Sequence, residues 1–216
     1  NAAFVDIGDE KEAFIHYLDL GLYFNAFDEF VRKTNTNTNA NDLFTGIELG
    51  PILAKEGQIE NHLKPGQMVI VQIVKEPIST KGSRLTAEIS LAGRNIVLLP
   101  FAKKVSISQK IASKEEKKRL ETLVRSILPP NYGAIIRTAA EGKNAAILVS
   151  ELKSLISKWE SSWTKLSKSK NVQLLFTEYS KTTTILRDLF NDSFSNIYVN
   201  DQKEYEEIKK YIAQIS

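Results

Sequence analysis

The sequence predicts an α+β protein that begins with a small antiparallel β-barrel and continues as a mixed unit of helices and strands. Short alternating strands separated by turns fill the first part of the chain. The peptide Lys-Pro-Gly-Gln at residues 64–67 leads into the β-branched stretch 68–74, and a Lys-Gly turn precedes the returning stretch 84–90. After residue 113, apolar residues recur mainly at helical spacing. The pattern therefore changes from β to mixed α and β near the middle of the chain.

The barrel prediction rests on an early hairpin that precedes this later pair of strands. Residues 2–8 alternate up to a glycine turn, and residues 13–16 resume the alternation. Residues 17–31 are expected to be partly helical, and residues 59–63 to form a short turn or helix. Residues 32–42 contain alternating Thr and Asn that cannot bury a core, so we expect a mobile polar loop there.

The second half of the sequence predicts both strands and amphipathic helices. Ser113 and Glu116 form a capping box, in which the serine oxygen accepts from the third residue and the glutamate reaches back. Trp159 and Trp163 lie four residues apart on a long predicted helix, and this spacing favours core packing over a binding site. The predicted strands are 95–99, 105–108, 134–136, 172–177 and 196–199, and the predicted helices begin near residues 113, 143, 183 and 202.

Composition narrows the class of protein. The chain is 42% hydrophobic and 25% charged, and it has no apolar run near the ~20 residues that span a bilayer. It contains no cysteine, which excludes disulfides and thiolate metal sites and favours an intracellular protein. His16 and His62 are too few and too far apart in sequence to predict a metal site without carboxylate ligands.

The small net charge of +3 conceals an asymmetry between the two parts of the chain. Residues 1–92 carry 8 Lys+Arg and 13 Asp+Glu, whereas residues 93–216 carry 21 Lys+Arg and 13 Asp+Glu. The positive excess in the second part fits a polyanionic partner, because neutralised phosphates release counterions. It fits a solvated lysine-rich helical surface equally well.

The stretch 133–143 has the composition of an oxyanion clamp. A short buried strand at residues 134–136 delivers Arg137 and Thr138 to a turn rich in small residues. The guanidinium can donate two parallel hydrogen bonds to a phosphate, the threonine can add more, and small neighbours let the backbone approach the anion. Ordinary strand-edge chemistry is the alternative interpretation of the same pair.

Motifs spread over nearly the whole chain carry a resemblance to a known family. Three motifs resemble those of an OB-fold of the ribosomal S1 RNA-binding class: Ala3-Phe-Val-Asp-Ile-Gly8, Ala13-Phe-Ile15 and Lys64-Pro-Gly-Gln-Met-Val-Ile-Val71. Three further motifs resemble the ribonuclease E/G family more specifically: Thr80-Lys-Gly82, Ile89-Ser-Leu-Ala-Gly93 and Ile135-Ile-Arg-Thr138. These motifs occur in the family's order and spacing.

The resemblance implies three parts. Residues 1–92 would be an S1-type OB-fold RNA-binding domain with the polar insertion 32–42, residues 93–182 an α+β 5′-sensor subdomain, and residues 183–216 a partial ribonuclease-H-like segment. The chain starts at Asn1 within a strand pattern, with neither a methionine nor a signal peptide, so we expect a segment of a longer protein. The ribonuclease-H-like part is then incomplete, with an exposed edge on which another copy can pair.

The resemblance also assigns RNA-binding residues. Phe4 and Phe14 align with RNA-stacking aromatics of the family, and Lys81 aligns with a lysine that contacts RNA. Without the resemblance, the two phenylalanines are more typical of a core and the lysine of a solvated loop.

A second set aligns with the family's 5′-phosphate pocket. Arg137 would supply the charge-assisted bidentate contact, Thr138 its hydroxyl and N–H, and Gly93 and Val97 mainly their backbone. Ala140 stands where the family usually has glycine. If that turn needs a positive φ, alanine costs about 1 kcal/mol and shifts the pocket.

The function implied is that of a cytoplasmic endoribonuclease that cleaves single-stranded RNA in rRNA processing and mRNA decay. The parent would use Mg²⁺ held by acidic residues outside this chain and would be a homo-oligomer. The chain itself is expected to hold no catalytic residue, to bind no metal or cofactor, and not to associate with membranes. The sequence does not determine its oligomeric state. Two alternatives remain open: a non-catalytic S1-domain RNA-binding adaptor, and an assembly module whose basic half docks acidic protein.

Overall fold

The computed structural model describes residues 1–34, 44, 46–166, 171–178, 180–191 and 193–215. They form two compact units, Asn1–Leu175 and Phe176–Ser216. The class is mixed α+β, as predicted, with two small sheets and five helices in the described residues.

The first sheet lies in the Asn1–Leu175 unit and is built from β1 (Ala2–Val5), β2 (Ala13–His16), β3 (Gln72–Lys75) and β4 (Arg84–Thr86). Its order is β1-β2-β4-β3, in which β2 and β4 are parallel and the other pairs antiparallel. β1 and β3 are therefore opposite edges, with no ladder between them among the described residues. In place of the predicted small antiparallel barrel, the described residues form a short, open, mixed sheet, because β2 and β4 pair in parallel.

The early hairpin is confirmed, and its alternation sets the faces of the sheet. Ala13 and Ile15 are 0% and 1% exposed, and Leu85 on β4 is 0% exposed. These three side chains lie on the inner face of the sheet. Phe14, between Ala13 and Ile15, lies on the other face, because successive side chains of a strand alternate. The predicted strand 68–74 is shorter and later, since pairing begins at Gln72 and contains an irregularity between Ile73 and Lys75.

Helical segments connect these strands. They are a 3-10 turn at Tyr17–Asp19, helix α1 at Phe24–Thr34 and a 3-10 turn at Ile59–Asn61. Residues 32–34 of the predicted loop 32–42 belong to α1, because Thr34 is buried and its hydroxyl donates to Phe30 O at 2.8 Å. The remainder of that loop lies outside the described residues.

The second sheet comprises β5 (Leu91–Ala92), β6 (Ile96–Pro100), β7 (Val105–Ile107) and β8 (Tyr132–Ile136). Its order is β5-β6-β8-β7, with β7 and β8 parallel. Helix α2 (Lys114–Ile127) packs against β7 and β8, and helix α3 (Ala145–Leu166) packs against β6. This packing buries one face of the sheet, where Ile96, Leu98 and Ile136 are all 0% exposed.

An aromatic cluster joins α1 to the second sheet and α3. Trp163 lies 5.1 Å from Phe30 and 5.0 Å from Phe44 between ring centroids. Trp159 and Trp163 are 0% and 2% exposed, which confirms core packing. The cluster consists of Phe27, Phe30, Phe44, Phe101, Tyr132, Trp159 and Trp163.

The Phe176–Ser216 unit contains α4 (Lys181–Leu189) and α5 (Gln202–Ile215), which pack together around Leu186, Ile208 and Tyr211. The strands predicted at 172–177 and 196–199 are wrong: the described residues there are not in strands. Leu174 is 73% exposed and Tyr198 is 90% exposed, so the apolar residues of these stretches meet no pairing strand.

Candidate nucleic-acid interface

The two predicted stacking aromatics are direct cross-strand neighbours. Phe4 on β1 pairs in register with Phe14 on β2. The neighbouring pair, Ala3 and Ile15, has its β2 member buried, so both phenylalanines lie on the opposite, outer face. Phe4 is 75% exposed and Phe14 is half-buried. An aromatic pair placed this way presents apolar ring surface to solvent, which is the arrangement that stacks unpaired bases.

Lys81 lies in the same shallow groove as the two phenylalanines. The loop between β3 and β4 supplies it, and that loop lies so close to the hairpin that a Cβ on Gly82 would collide with Glu12 O. Lys11 fastens the loop through a 2.6 Å hydrogen bond from Nζ to Ser79 O. The structure therefore brings together the three predicted RNA-binding residues in one groove, whose other lining residues include Lys11, Glu12, Thr80 and Gly82.

Arg84 borders the same face and was not singled out from the sequence. It is opposite Phe14 in the parallel β2–β4 register. Its guanidinium forms a bidentate ion pair with Asp19, with Nε–Oδ2 and Nη2–Oδ1 distances of 2.9 Å. Because Arg84 directly precedes the apolar Leu85 in a predicted strand, alternation could have predicted that its side chain faces outward. The sequence could not predict that Asp19 is its ion-pair partner.

The second predicted set gathers at one end of the second sheet. Arg137 follows β8 directly and continues the ladder by donating its backbone N–H to Asn95 O at 2.8 Å. Its Nη1 donates to Gly93 O at 2.9 Å. Val97 lies opposite Ile135 in the β6–β8 register, two residues from Arg137 along the strand. Arg137 and Val97 therefore share the outer face of this sheet.

Gly93 has room for no side chain. A Cβ there would lie 2.5 Å from Glu151 Oε1 and 2.7 Å from Ile96 O. Its N–H donates to Ile96 O at 2.8 Å while its carbonyl accepts from Arg137. Gly93 thus shapes the hairpin turn and orients the guanidinium, and both of its backbone groups are engaged within the protein.

Thr138 is exposed, and its hydroxyl meets a second hydroxyl. Thr138 Oγ1 and Ser108 Oγ are 2.9 Å apart. Ser108 follows β7, whose end adjoins that of the parallel strand β8, and its N–H donates to Ile136 O at 2.8 Å. Ser108 is not among the predicted site residues, because a lone serine after a short strand carries no distinctive pattern.

Glu151 on α3 holds the turn that contains Gly93. Its Oε1 accepts from the backbone N–H groups of Arg94 and Asn95, the latter at 3.0 Å. Two backbone donors beside the predicted pocket are therefore occupied by a carboxylate of the protein itself. No sequence pattern predicts this contact, since it joins residues 57 and 56 positions apart.

Glu116 holds the other side of the predicted pocket. Its Oε1 accepts from Gly142 N at 2.9 Å, and both carboxylate oxygens accept from Arg119 at 2.7 Å. Arg119 also donates to Lys143 O at 3.0 Å. The hydrogen bonds from Arg119, and then that from Gly142, lower the pKa of Glu116 to about 2. We call Glu116, Arg119 and Gly142 the loop latch, because they fix the segment that follows Thr138.

The backbone conformation of this loop shows whether Ala140, which stands where the family usually has glycine, is strained. Residues 138–140 form a 3-10 turn, and Ala140 is 0% exposed. Positive φ occurs instead at Gly142, at 72°. Ala140 is not among the described residues with a positive φ, so the strain that a left-handed turn would impose on an alanine does not arise.

Comparison with known proteins places the chain in a family. The sequence model described as "Ribonuclease E/G family" matches residues 90–216. Ribonuclease E of a Nostoc species is 32% identical over 213 residues, which cover 98% of this chain and 27% of the relative. The chain belongs to the ribonuclease E/G family. Ribonuclease G of Haemophilus influenzae is 32% identical over 97% of the chain and 39% of its own length, and ribonuclease G of Escherichia coli is 31% identical over 99% and 40%.

This member of the ribonuclease E/G family thus spans well under half the length of these relatives. Its two predicted site sets lie on different sheets, the stacking residues on the first and the phosphate-pocket residues on the second. No group of three or more His, Cys, Asp or Glu side chains in the described residues could hold a metal ion. Among those residues, no helix is long and apolar enough to cross a membrane.

Proposed function

We propose that this chain is the RNA-binding and 5′-monophosphate-sensing portion of an endoribonuclease of the E/G type. The parent cleaves single-stranded RNA in rRNA processing and mRNA decay, and this portion binds RNA without cutting it. The observation that carries the proposal is the groove in which exposed Phe4, half-buried Phe14 and Lys81 meet. Family membership supplies the ribonuclease connection.

RNA binding at this groove follows from the chemistry of its residues. Unpaired bases stack on Phe4 and Phe14, a contact that tolerates any base because every base has a π face. The Lys81 ammonium contacts a backbone phosphate and makes binding depend on salt. Single-stranded RNA satisfies both requirements, whereas the bases of a duplex are already stacked.

Sensing of the 5′ end takes place at the second sheet. The guanidinium of Arg137, oriented by Gly93 O, receives the terminal phosphate, and the Thr138 hydroxyl adds a further hydrogen bond. Val97 borders the pocket from the same face. Glu151 and Glu116 act as positioning residues, because they fix the two backbone turns that flank Arg137.

The domain organisation that goes with this function is the one implied by the family. Residues 1–92 are an S1-type OB-fold RNA-binding domain with the polar insertion 32–42, residues 93–182 are the 5′-sensor subdomain, and residues 183–216 are a partial ribonuclease-H-like segment. The parent is a cytoplasmic homo-oligomer. Its hydrolysis uses Mg²⁺ held by acidic residues outside this chain, and we assign no catalytic step to the chain itself.

The experiment that tests the sensor compares two RNAs that differ only at the 5′ end. The wild-type chain should bind 5′-monophosphate RNA modestly better than 5′-hydroxyl RNA, because salt partly screens the phosphate contact and the first sheet contributes to both. Arg137→Ala removes a charge-assisted contact worth at most about 1.5–3 kcal/mol, so it should erase the preference while 5′-hydroxyl binding persists.

Two results would contradict the sensor proposal. Equal affinity of the wild-type chain for both RNAs would mean that no phosphate pocket forms. An equal loss for both RNAs in Arg137→Ala would make Arg137 a general backbone contact. Arg137→Lys is the matched control, since it keeps the charge but loses the fork that binds two oxygens, and it should retain only part of the preference.

A further inference from the structure

The outer face of the first sheet continues beyond the two phenylalanines. Phe14 lies opposite Arg84, and the next pair in this register, Ile15 and Leu85, is 1% and 0% exposed. Side chains alternate along a strand and register neighbours share a face. Phe4, Phe14 and Arg84 therefore form one row across three adjacent strands.

Asp19 holds the guanidinium of Arg84 in a fixed plane. The two hydrogen bonds of 2.9 Å use Nε and Nη2, and the Asp19 carbonyl is itself held by Thr86 Oγ1 at 2.8 Å and by Ala87 N at 2.8 Å. The Arg84 side chain nevertheless stays 41% exposed. The result is a rigid, planar, partly exposed group whose charge is balanced by a carboxylate.

We propose that Arg84 is a third base-stacking platform of the RNA-binding face, next to Phe14. Guanidinium planes stack on bases as aromatic rings do, and a plane already fixed by Asp19 loses little conformational freedom when a base lands on it. Because Asp19 balances the charge, Arg84 acts through its plane, whereas Lys81 acts through its charge. The proposal rests on the proposed RNA-binding function of this face and extends it to a residue that the family resemblance does not assign.

The test uses the whole 216-residue chain and a fluorescent oligouridine of roughly ten nucleotides with a 5′-hydroxyl end, so that the phosphate pocket does not contribute. Anisotropy titrations compare Arg84→Ala, Arg84→Lys and Arg84→Tyr. The first two should weaken binding at least about fivefold, and Arg84→Tyr, which restores a plane without charge, should stay within about twofold of wild type.

Salt dependence supplies the second readout. Arg84→Lys keeps the charge that balances Asp19, so it should leave the slope of log affinity against log salt unchanged, whereas Lys81→Ala should reduce it by about one. Arg125→Ala is the matched control, because Arg125 is also half-exposed and ion-paired, with Glu121, but lies on α2. It should leave oligouridine binding unchanged.

Each contrary outcome has a definite meaning. If Arg84→Tyr remains folded in thermal unfolding and binds as weakly as Arg84→Ala, the ion pair matters and the platform is overturned. Wild-type affinity in Arg84→Lys also overturns the stacking platform. If the tyrosine variant does not fold, the lysine variant alone decides between the two outcomes. If Phe4→Ala and Phe14→Ala leave affinity unchanged, the proposed function of the face fails; if they weaken binding and Arg84→Ala does not, only this inference fails.

Discussion

Phe4 is 75% exposed, whereas its register partner Phe14 is half-buried, so the two rings differ in what they contribute to the folded protein. Phe4→Ala should lower affinity for single-stranded RNA by about 1–3 kcal/mol and leave the thermal midpoint unchanged. Phe14→Ala should lower affinity by a similar amount and also destabilise the chain, because buried ring surface is lost. Anisotropy titration and thermal unfolding of the same samples measure both quantities.

Ile52→Ala is the control for this pair, since Ile52 is an equally apolar residue at 59% exposure. It should change neither quantity. A fall in the thermal midpoint of Phe4→Ala, with unchanged RNA affinity per folded molecule, would show that Phe4 is a structural residue.

At the scale of single residues, the sequence could predict what local pairing determines. The hairpin between β1 and β2 was predicted from alternation, and it places Phe4 opposite Phe14. Their role outside the core was expected only from the family resemblance, because alternation alone does not say which face of a strand is buried. Arg84 and Glu151 could not be placed, because their contacts depend on a parallel pairing and on helix packing between distant parts of the chain. A period of two or 3.6 residues carries no information about such partners.

At the scale of elements, the capping box of α2 was half predictable. Ser113 Oγ accepts from Glu116 N at 3.1 Å as expected, but the Glu116 carboxylate does not reach back to the cap. It turns to Arg119 and Gly142, because an arginine three residues on and a backbone N–H of a distant loop offer charge-assisted and directional partners. The wrong strands at 172–177 and 196–199 show the same limit: β-like composition forms a strand only where a partner strand exists.

The loop latch predicts a specific dependence of stability on pH. The pKa of Glu116 falls from 4.5 to about 2 on folding, chiefly through the hydrogen bonds of Arg119. A lowered carboxyl pKa stabilises the fold above the unfolded value and loses this contribution as pH falls from about 4.5 to about 2. Glu116→Gln should therefore lower the thermal midpoint at neutral pH, and its difference from wild type should vanish near pH 2.

Glu121→Gln provides the matched control, because Glu121 also pairs with an arginine on α2 but only on the exposed helix surface. Exposed i,i+4 pairs contribute little, so this variant should stay close to wild type. A Glu116→Gln difference that persists unchanged at low pH would show that the charge of Glu116 is not what holds the loop.

At the scale of the whole molecule, the aromatic cluster decides how the Asn1–Leu175 unit holds together. Phe30 belongs to α1, which lies between the strands of the first sheet in sequence, whereas Trp163 belongs to α3, which packs on the second sheet. Their ring centroids are 5.1 Å apart. The sequence predicted that Trp159 and Trp163 are core residues, but it could not predict that Trp163 packs on Phe30 and Phe44, which lie on the other side of the expected boundary at residues 92 and 93.

This shared core predicts that the two sheets lose stability together. Trp163→Ala removes a ring that is 2% exposed and leaves a large cavity, so it should cost about 3–5 kcal/mol. Because Phe30 and Phe44 lose the same partner, hydrogen exchange should speed up in β2 of the first sheet as well as in β8 of the second. Tyr198→Ala, at a residue that is 90% exposed in the Phe176–Ser216 unit, should change neither strand. Faster exchange in β8 alone, with β2 as slow as in wild type, would instead mean that residues 1–92 form an independent domain.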